Sequence, residues 1–180
     1  DISAVEFLEK LNCPAYKIAS PEITDIPLIK CIASTNKPVF ISTGLSRYED
    51  LELAIQTLKT NGCNEMAILK CTSAYPAPYD EINLRTMADY TKKFNCIPGL
   101  SDHTLGDAIP IASVALGAKV IEKHFKINNE ETADSFFSMN FDDFKEMVVK
   151  IRKVEQSLGK VNYELTKSML ENINSRRSLY

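Results

Sequence analysis

The run Gly99-Leu100-Ser101-Asp102-His103-Thr104-Leu105-Gly106, followed further on by Val120-Ile121-Glu122-Lys123-His124-Phe125, sets the frame for the whole chain. His103 and His124 are the only two histidines in 180 residues, and each closes a short apolar run that reads as a strand. Asp107–Leu116 between them reads as a helix, with Pro110 tolerable in its first turn. Strand, helix and strand in that order make a parallel pair with a helical crossover, so both imidazoles lie at one edge of a sheet. Such a pair suits a divalent metal with two histidine ligands and open positions for substrate. A polar group satisfied at each strand end is the plainer alternative, and the pattern leaves both open.

The same unit recurs towards the N-terminus. Residues 2–12 carry Val5, Leu8 and Leu11 at helical spacing. Ala15–Ser20 reads as a strand ended by Pro21, Ile26–Ser34 as a helix, and Val39–Gly44 as a second strand. Ser46-Arg47-Tyr48-Glu49 has the form of a capping box, opening a helix through Leu51, Ile55 and Leu58 to Gly62. Met66–Thr72 is the third strand, Tyr75-Pro76-Ala77-Pro78 a loop, and Leu84, Met87, Ala88, Thr91 and Phe94 mark the next helix. After the strands at Ile97–Ser101 and Val120–Phe125, Asn140 can cap a long helix with Phe144, Met147, Val148, Ile151, Val154 and Leu158 on its buried stripe, ending at Gly159. Residues 160–180 are polar with scattered leucines and read as a linker.

Five β-α units follow one another at spacings of about 23 to 31 residues, with no hairpin signal between them. A doubly wound open sheet and a (β/α)8 TIM barrel both accommodate such a series. The α/β barrel is favoured because polar residues gather at nearly every strand end: Lys17 and Ser20, Ser42 and Thr43, Ser73 and Tyr75, Ser101 and His103, Glu122 and His124. A barrel brings all those ends to one mouth, whereas an open sheet gathers only those near its switch point. Only the C-terminal five units of an eight-unit barrel would then be present, in residues 1–159.

Composition narrows the function classes. With 44% hydrophobic and 25% charged residues the chain can build a real core. A net charge of -3 and the lack of a basic run argue against nucleic acid as a partner. No apolar stretch is long enough for a membrane span, and Asp1–Val5 is no signal peptide. The five cysteines are widely spaced with no C-x-x-C pair, which fits reduced thiols in the cytoplasm, and Cys71 in its apolar run reads as core.

Side-chain parity then assembles a site. Ser101 and His103 share a face, as do Glu122 and His124. Two imidazoles on neighbouring strands can share an ion at about 2.1 Å each, suiting Mn²⁺, Zn²⁺ or Co²⁺ better than Mg²⁺. Glu122 is placed either to orient a ligand of that metal or to pair with a lysine. Lys17, inside a short strand, is open to an anion clamp, a Schiff-base role, or a salt bridge with Glu22 or Glu122. No nucleotide-binding glycine motif and no nucleophile elbow is present.

These segments resemble the sialic-acid synthase family: Tyr16-Lys17-Ile18-Ala19-Ser20-Pro21-Glu22, Ile41-Ser42-Thr43-Gly44, Lys70-Cys71-Thr72-Ser73-Ala74-Tyr75-Pro76, and the two histidine runs quoted first. The resemblance covers essentially the whole chain. It implies a transferase that condenses phosphoenolpyruvate with an N-acetylated amino sugar, giving a nine-carbon 2-keto acid and phosphate by C–O cleavage. It further implies His103 and His124 as metal ligands, with Mn²⁺ the expected ion and Mg²⁺ or Co²⁺ as substitutes. By the same resemblance Lys17, Ser20, Ser42, Ser73 and Ser101 surround phosphoenolpyruvate, while Glu22, Tyr75 and Asp134 face the sugar. Ser73 stands where the N-acetylneuraminate branch usually has Asn. Thr132-Ala133-Asp134, with Ser135-Phe136-Phe137-Ser138-Met139, departs from that branch's Gly-Pro-Asp segment. Both features resemble the pseudaminic-acid branch, with N-acetylneuraminate or legionaminate synthesis as the alternative. The family's acid/base glutamate, its first three strands and the antifreeze-like domain of a domain-swapped homodimer are expected outside these 180 residues, which by themselves are expected to be inactive. Another metal-dependent barrel lyase, a Schiff-base aldolase and a silent carbohydrate-binding protein are the competing classes.

Overall fold

The computed structural model describes residues 1–128 and 130–176. Five strands carry the fold: β1 (Tyr16–Ile18), β2 (Val39–Ser42), β3 (Met66–Cys71), β4 (Ile97–Asp102) and β5 (Val120–Lys123). They pair in sequence order, and every pairing is parallel. Helices supply the crossovers: α1 (Ile2–Lys10) leads into β1, then α2 (Ile26–Ala33), α3 (Tyr48–Thr60), α4 (Thr86–Phe94) and α5 (Ala108–Ala115) alternate with the strands. The long α6 (Phe141–Leu158) and the short α7 (Lys167–Glu171) follow β5. The result is an α/β fold whose sheet forms half a barrel.

Alternation along each strand divides the sheet into two faces. Tyr16, Ile18, Val39, Ile41, Met66 and Ile68 point to the helices and pack with Ile29, Ile32, Leu51, Ile55, Leu58 and Phe94 in the main core. Ile29, Ile41, Leu58 and Ile68 are fully buried there, each contributing about 1.5–3 kcal/mol relative to exposure. A second cluster joins Val114 of α5 to Met147 and Ile151 of α6. The opposite parity, Lys17, Ser42, Cys71, Ser101 and Glu122, faces the hollow of the half-barrel.

Local signals hold with three shifts. The helix α3 starts one residue later than the Ser46–Glu49 box implies. Ser46 Oγ donates to the Thr43 carbonyl (3.0 Å), which closes the turn after β2, and the Asp50 carboxylate accepts the Arg47 N–H (2.9 Å) instead. Leu11 lies outside α1 and is exposed. Val148 and Leu158 are likewise exposed, because the apolar contacts of α6 with the body run along Phe144, Met147, Ile151 and Val154. Asn140 caps α6 as expected, its Oδ1 accepting the Asp143 N–H at 2.9 Å. Asn140→Ala is expected to lower stability by about 1 kcal/mol, read as a shifted urea midpoint with unchanged slope. In residues 160–176, Thr166 caps α7; the Arg177–Tyr180 segment lies outside the described residues.

Candidate active site at the carboxyl ends of the strands

The strand ends converge on a cleft of 190 Å³ whose wall includes Lys17, Ser20, Ser42, Ser101, His103 and His124. Its two poles differ in chemistry. At the first, Lys17 Nζ lies 3.2 Å from Glu122 Oε1, and Ser101 Oγ donates to the same oxygen at 2.8 Å. Of the two partners left open for Lys17, the structure therefore selects Glu122. Ser20 opens a 3₁₀ turn (Ser20–Thr24), and its Oγ accepts the Gly44 N–H at 2.8 Å. Ser42 Oγ is buried in the cleft wall and finds no hydrogen-bond partner among the described residues. A buried hydroxyl left unpaired costs roughly 1–3 kcal/mol, and a ligand oxygen would recover it.

Gly44 makes this crowding possible. A Cβ there would meet Ser73 Oγ and stand 2.9 Å from both Cys71 Sγ and Ser20 Oγ. Cys71 is buried, as its apolar run implies, yet its thiol faces the cleft and not the helix layer. Burial pushes that thiol up, but His103 and the hydroxyls of Ser101 and Ser20 outweigh it and hold it below the ordinary thiol value.

At the second pole the rings of His103 and His124 lie 5.2 Å apart. His103 is buried, and its Nδ1 stands 2.9 Å from the Thr72 carbonyl oxygen. A carbonyl only accepts, so this contact assigns the proton to Nδ1 and leaves the Nε2 lone pair free. Burial lowers the His103 pKa, but the Cys71 thiol and the Thr72 carbonyl leave it raised overall. His124 is lowered, first by burial and then by its neighbour His103. Among the described residues no group of three His, Cys, Asp or Glu could hold an ion. Two imidazoles could hold an ion only if its other positions were taken by water or substrate.

Aromatic rings close this pole. Tyr75 lies over His103 (4.2 Å between centroids), and Phe137 packs against both His124 (4.8 Å) and Tyr75 (5.3 Å). Asp134 Oδ2 is 3.8 Å from His124 Nδ1, beyond hydrogen-bond reach. Glu22 sits in the 3₁₀ turn and is not part of the cleft wall.

The sequence reading missed two features. Phe137 lies in a loop without periodicity, so nothing in the pattern could mark its burial. Asp102 and Lys123 face away from the cleft and form an ion pair of 2.6 Å with side chains 0% and 1% exposed. Two opposite charges at the ends of neighbouring strands were the available signal.

The NeuB family profile matches residues 1–163. Pseudaminic acid synthase of Campylobacter jejuni is 42% identical over 177 residues, which is 98% of this chain and 52% of that protein. The N,N'-diacetyllegionaminic acid synthase of the same organism is 38% identical over 183 residues, 99% of this chain and 55% of that protein. A crystal structure of N-acetylneuraminic acid synthetase from Leptospira borgpetersenii superposes with a TM-score of 0.88 at 28% identity, covering 99% of this chain and 63% of that one. The chain therefore spans about half the length of these curated relatives.

Proposed function

The chain belongs to the NeuB family, and from that premise we propose that it supplies the phosphoenolpyruvate and metal sites of a synthase making a pseudaminic-type nine-carbon 2-keto sugar acid. The observation that carries the reading is the juxtaposition, in one cleft, of a lysine-and-hydroxyl pole, with one hydroxyl unpartnered among the described residues, and a two-histidine pole.

Phosphoenolpyruvate brings a carboxylate and a phosphate, and Lys17 with the hydroxyls of Ser20, Ser42, Ser73 and Ser101 offers the donors that both need. Lys17 is already turned into the cleft by Glu122, so its ammonium is placed before substrate arrives. His103 and His124 would hold a divalent cation, Mn²⁺ being the expected one, which supplies Lewis-acid polarisation of the acceptor's aldehyde. The Thr72 carbonyl keeps His103 in the tautomer that ligation requires. Tyr75 and Asp134 stand at the histidine pole, where the acceptor sugar must sit to meet that cation; Glu22 is the more distant sugar contact in the same reading. In this reading the acid/base group is not among the residues named here.

The acceptor proposed is the bis-acetamido altrose sugar. Two features support it: Ser73 in place of the asparagine of the N-acetylneuraminate branch, and the 42% identity to a pseudaminic acid synthase. A cytoplasmic homodimer is part of the same reading, and the five free cysteines accord with a reducing compartment. No helix among the described residues is long and apolar enough to cross a membrane.

The test is phosphate release from phosphoenolpyruvate by the complete protein with Mn²⁺, comparing that altrose sugar, a legionaminic-type precursor and N-acetylmannosamine. Preference for the altrose sugar is expected. Preference for N-acetylmannosamine would overturn the acceptor assignment, and no release with any sugar would overturn the function. In the same assay Gly44→Ala is expected to raise KM for phosphoenolpyruvate by about tenfold or more, since the added methyl displaces Ser73 and Ser20.

A further inference from the structure

The last register pair between β4 and β5 is Asp102 with Lys123, one residue before each histidine. Beyond it each histidine backbone bonds to a different segment, the His103 carbonyl accepting the Ala77 N–H (3.0 Å) and the His124 carbonyl the Met139 N–H (2.9 Å), so the β4–β5 ladder itself does not join the two histidines. The buried ion pair closes that gap. Asp102 Oδ2 accepts from Lys123 Nζ at 2.6 Å and from Thr104 Oγ1 at 3.0 Å, while Asp102 Oδ1 accepts the Thr104 N–H at 3.1 Å. Lys123 Nζ also donates to the Thr104 carbonyl at 2.7 Å. Thr104 is fully buried. His103 is thus held on both sides, by Asp102 before it and Thr104 after it, and both holds converge on the residue that precedes His124.

We propose that the buried Asp102–Lys123–Thr104 cluster is a positioning device that sets the separation of His103 and His124 and so the cation affinity of the site. The inference rests on the reading of the two histidines as cation ligands. None of the three side chains lines the cleft, so their action passes through the backbone to the imidazoles. A buried pair is a weak source of net stability, since apolar residues of similar volume often replace it at little cost. What apolar residues cannot reproduce is the directional link between the two strand ends, which makes position the property to test.

The experiment compares the complete parent protein with the double variant Asp102→Leu/Lys123→Met and with Thr104→Val. The last keeps the ion pair and removes one hydrogen bond. Each is followed by thermal unfolding without metal, by Mn²⁺ titration using the electron paramagnetic resonance of the free ion, and by histidine side-chain ¹⁵N shifts in the metal-free protein. The double variant is expected to melt close to the parent yet bind Mn²⁺ about 10- to 100-fold more weakly, with both histidine ring resonances displaced. Thr104→Val is expected to fold and show a smaller loss in the same direction, which keeps the inference testable if the double variant does not fold. Parent-like Mn²⁺ affinity and unchanged ring shifts in a folded variant would overturn the inference. If the parent binds no Mn²⁺, the cation reading falls by itself, and the ring shifts still decide whether the cluster positions the histidines.

Discussion

Replacing His124 by alanine in the complete protein is expected to lower phosphate release by about three orders of magnitude while leaving the fold intact. The expectation has two parts. His124 is one of only two imidazoles at its pole, and no further cluster of ligating side chains exists among the described residues to substitute for it. A single remaining imidazole is a poor anchor for a hydrated divalent ion, so Mn²⁺ affinity should fall with activity. Structurally the cost is small, because the His124 side chain is one-third exposed and belongs to none of the buried clusters. His103→Ala should differ, losing activity to the same extent and stability as well. It removes a buried ring packed against Tyr75 and leaves the Thr72 carbonyl without that donor. Turnover of His124→Ala within about tenfold of the parent would remove the imidazole from the chemistry.

The second large effect is on stability. Lys123→Met is expected to cost about 3–5 kcal/mol, a substantial share of the 5–15 kcal/mol by which domains are ordinarily stable. The substitution leaves the Asp102 carboxyl fully buried and facing a thioether, with only the Thr104 hydroxyl and N–H for partners among the described residues. Lys17→Met offers the contrast. The Lys17–Glu122 pair is 33% and 44% exposed, so water screens it and its loss should stay within about 1 kcal/mol. Urea unfolding of the two variants side by side checks both values. A Lys123→Met loss below about 1 kcal/mol would mean that water reaches Asp102 once the lysine is gone.

Much of this site was legible in one dimension. The strand period of two placed Ser101 with His103 and Glu122 with His124 on one face. The repeated β-α spacing placed Lys17, Ser20, Ser42 and Ser73 at the same rim. Those deductions need only the local chain geometry; the cleft wall contains Lys17, Ser20, Ser42, Ser101, His103, Glu122 and His124, whereas Ser73 is not part of it. The Ser46–Glu49 box misled by one residue because a capping signal competes with the turn before it, and the Thr43 carbonyl claimed the Ser46 hydroxyl. The packing of Phe137 on His124 was not legible, because burial of a loop residue is set by what the loop folds onto.

The sequence alone therefore determined the order of elements, the faces of the strands and the family, since each depends on neighbours within a few residues or on motifs read directly. Tertiary structure decided the partnerships. Lys17 finds Glu122 across 105 residues of chain, Thr72 sets the His103 tautomer, and Ser42 is left without a partner among the described residues. Asp102 and Lys123 become a buried clamp only because strand register brings them opposite each other. Pairing and burial are properties of three-dimensional neighbours, and at these strand ends they distinguish a row of polar residues from a site.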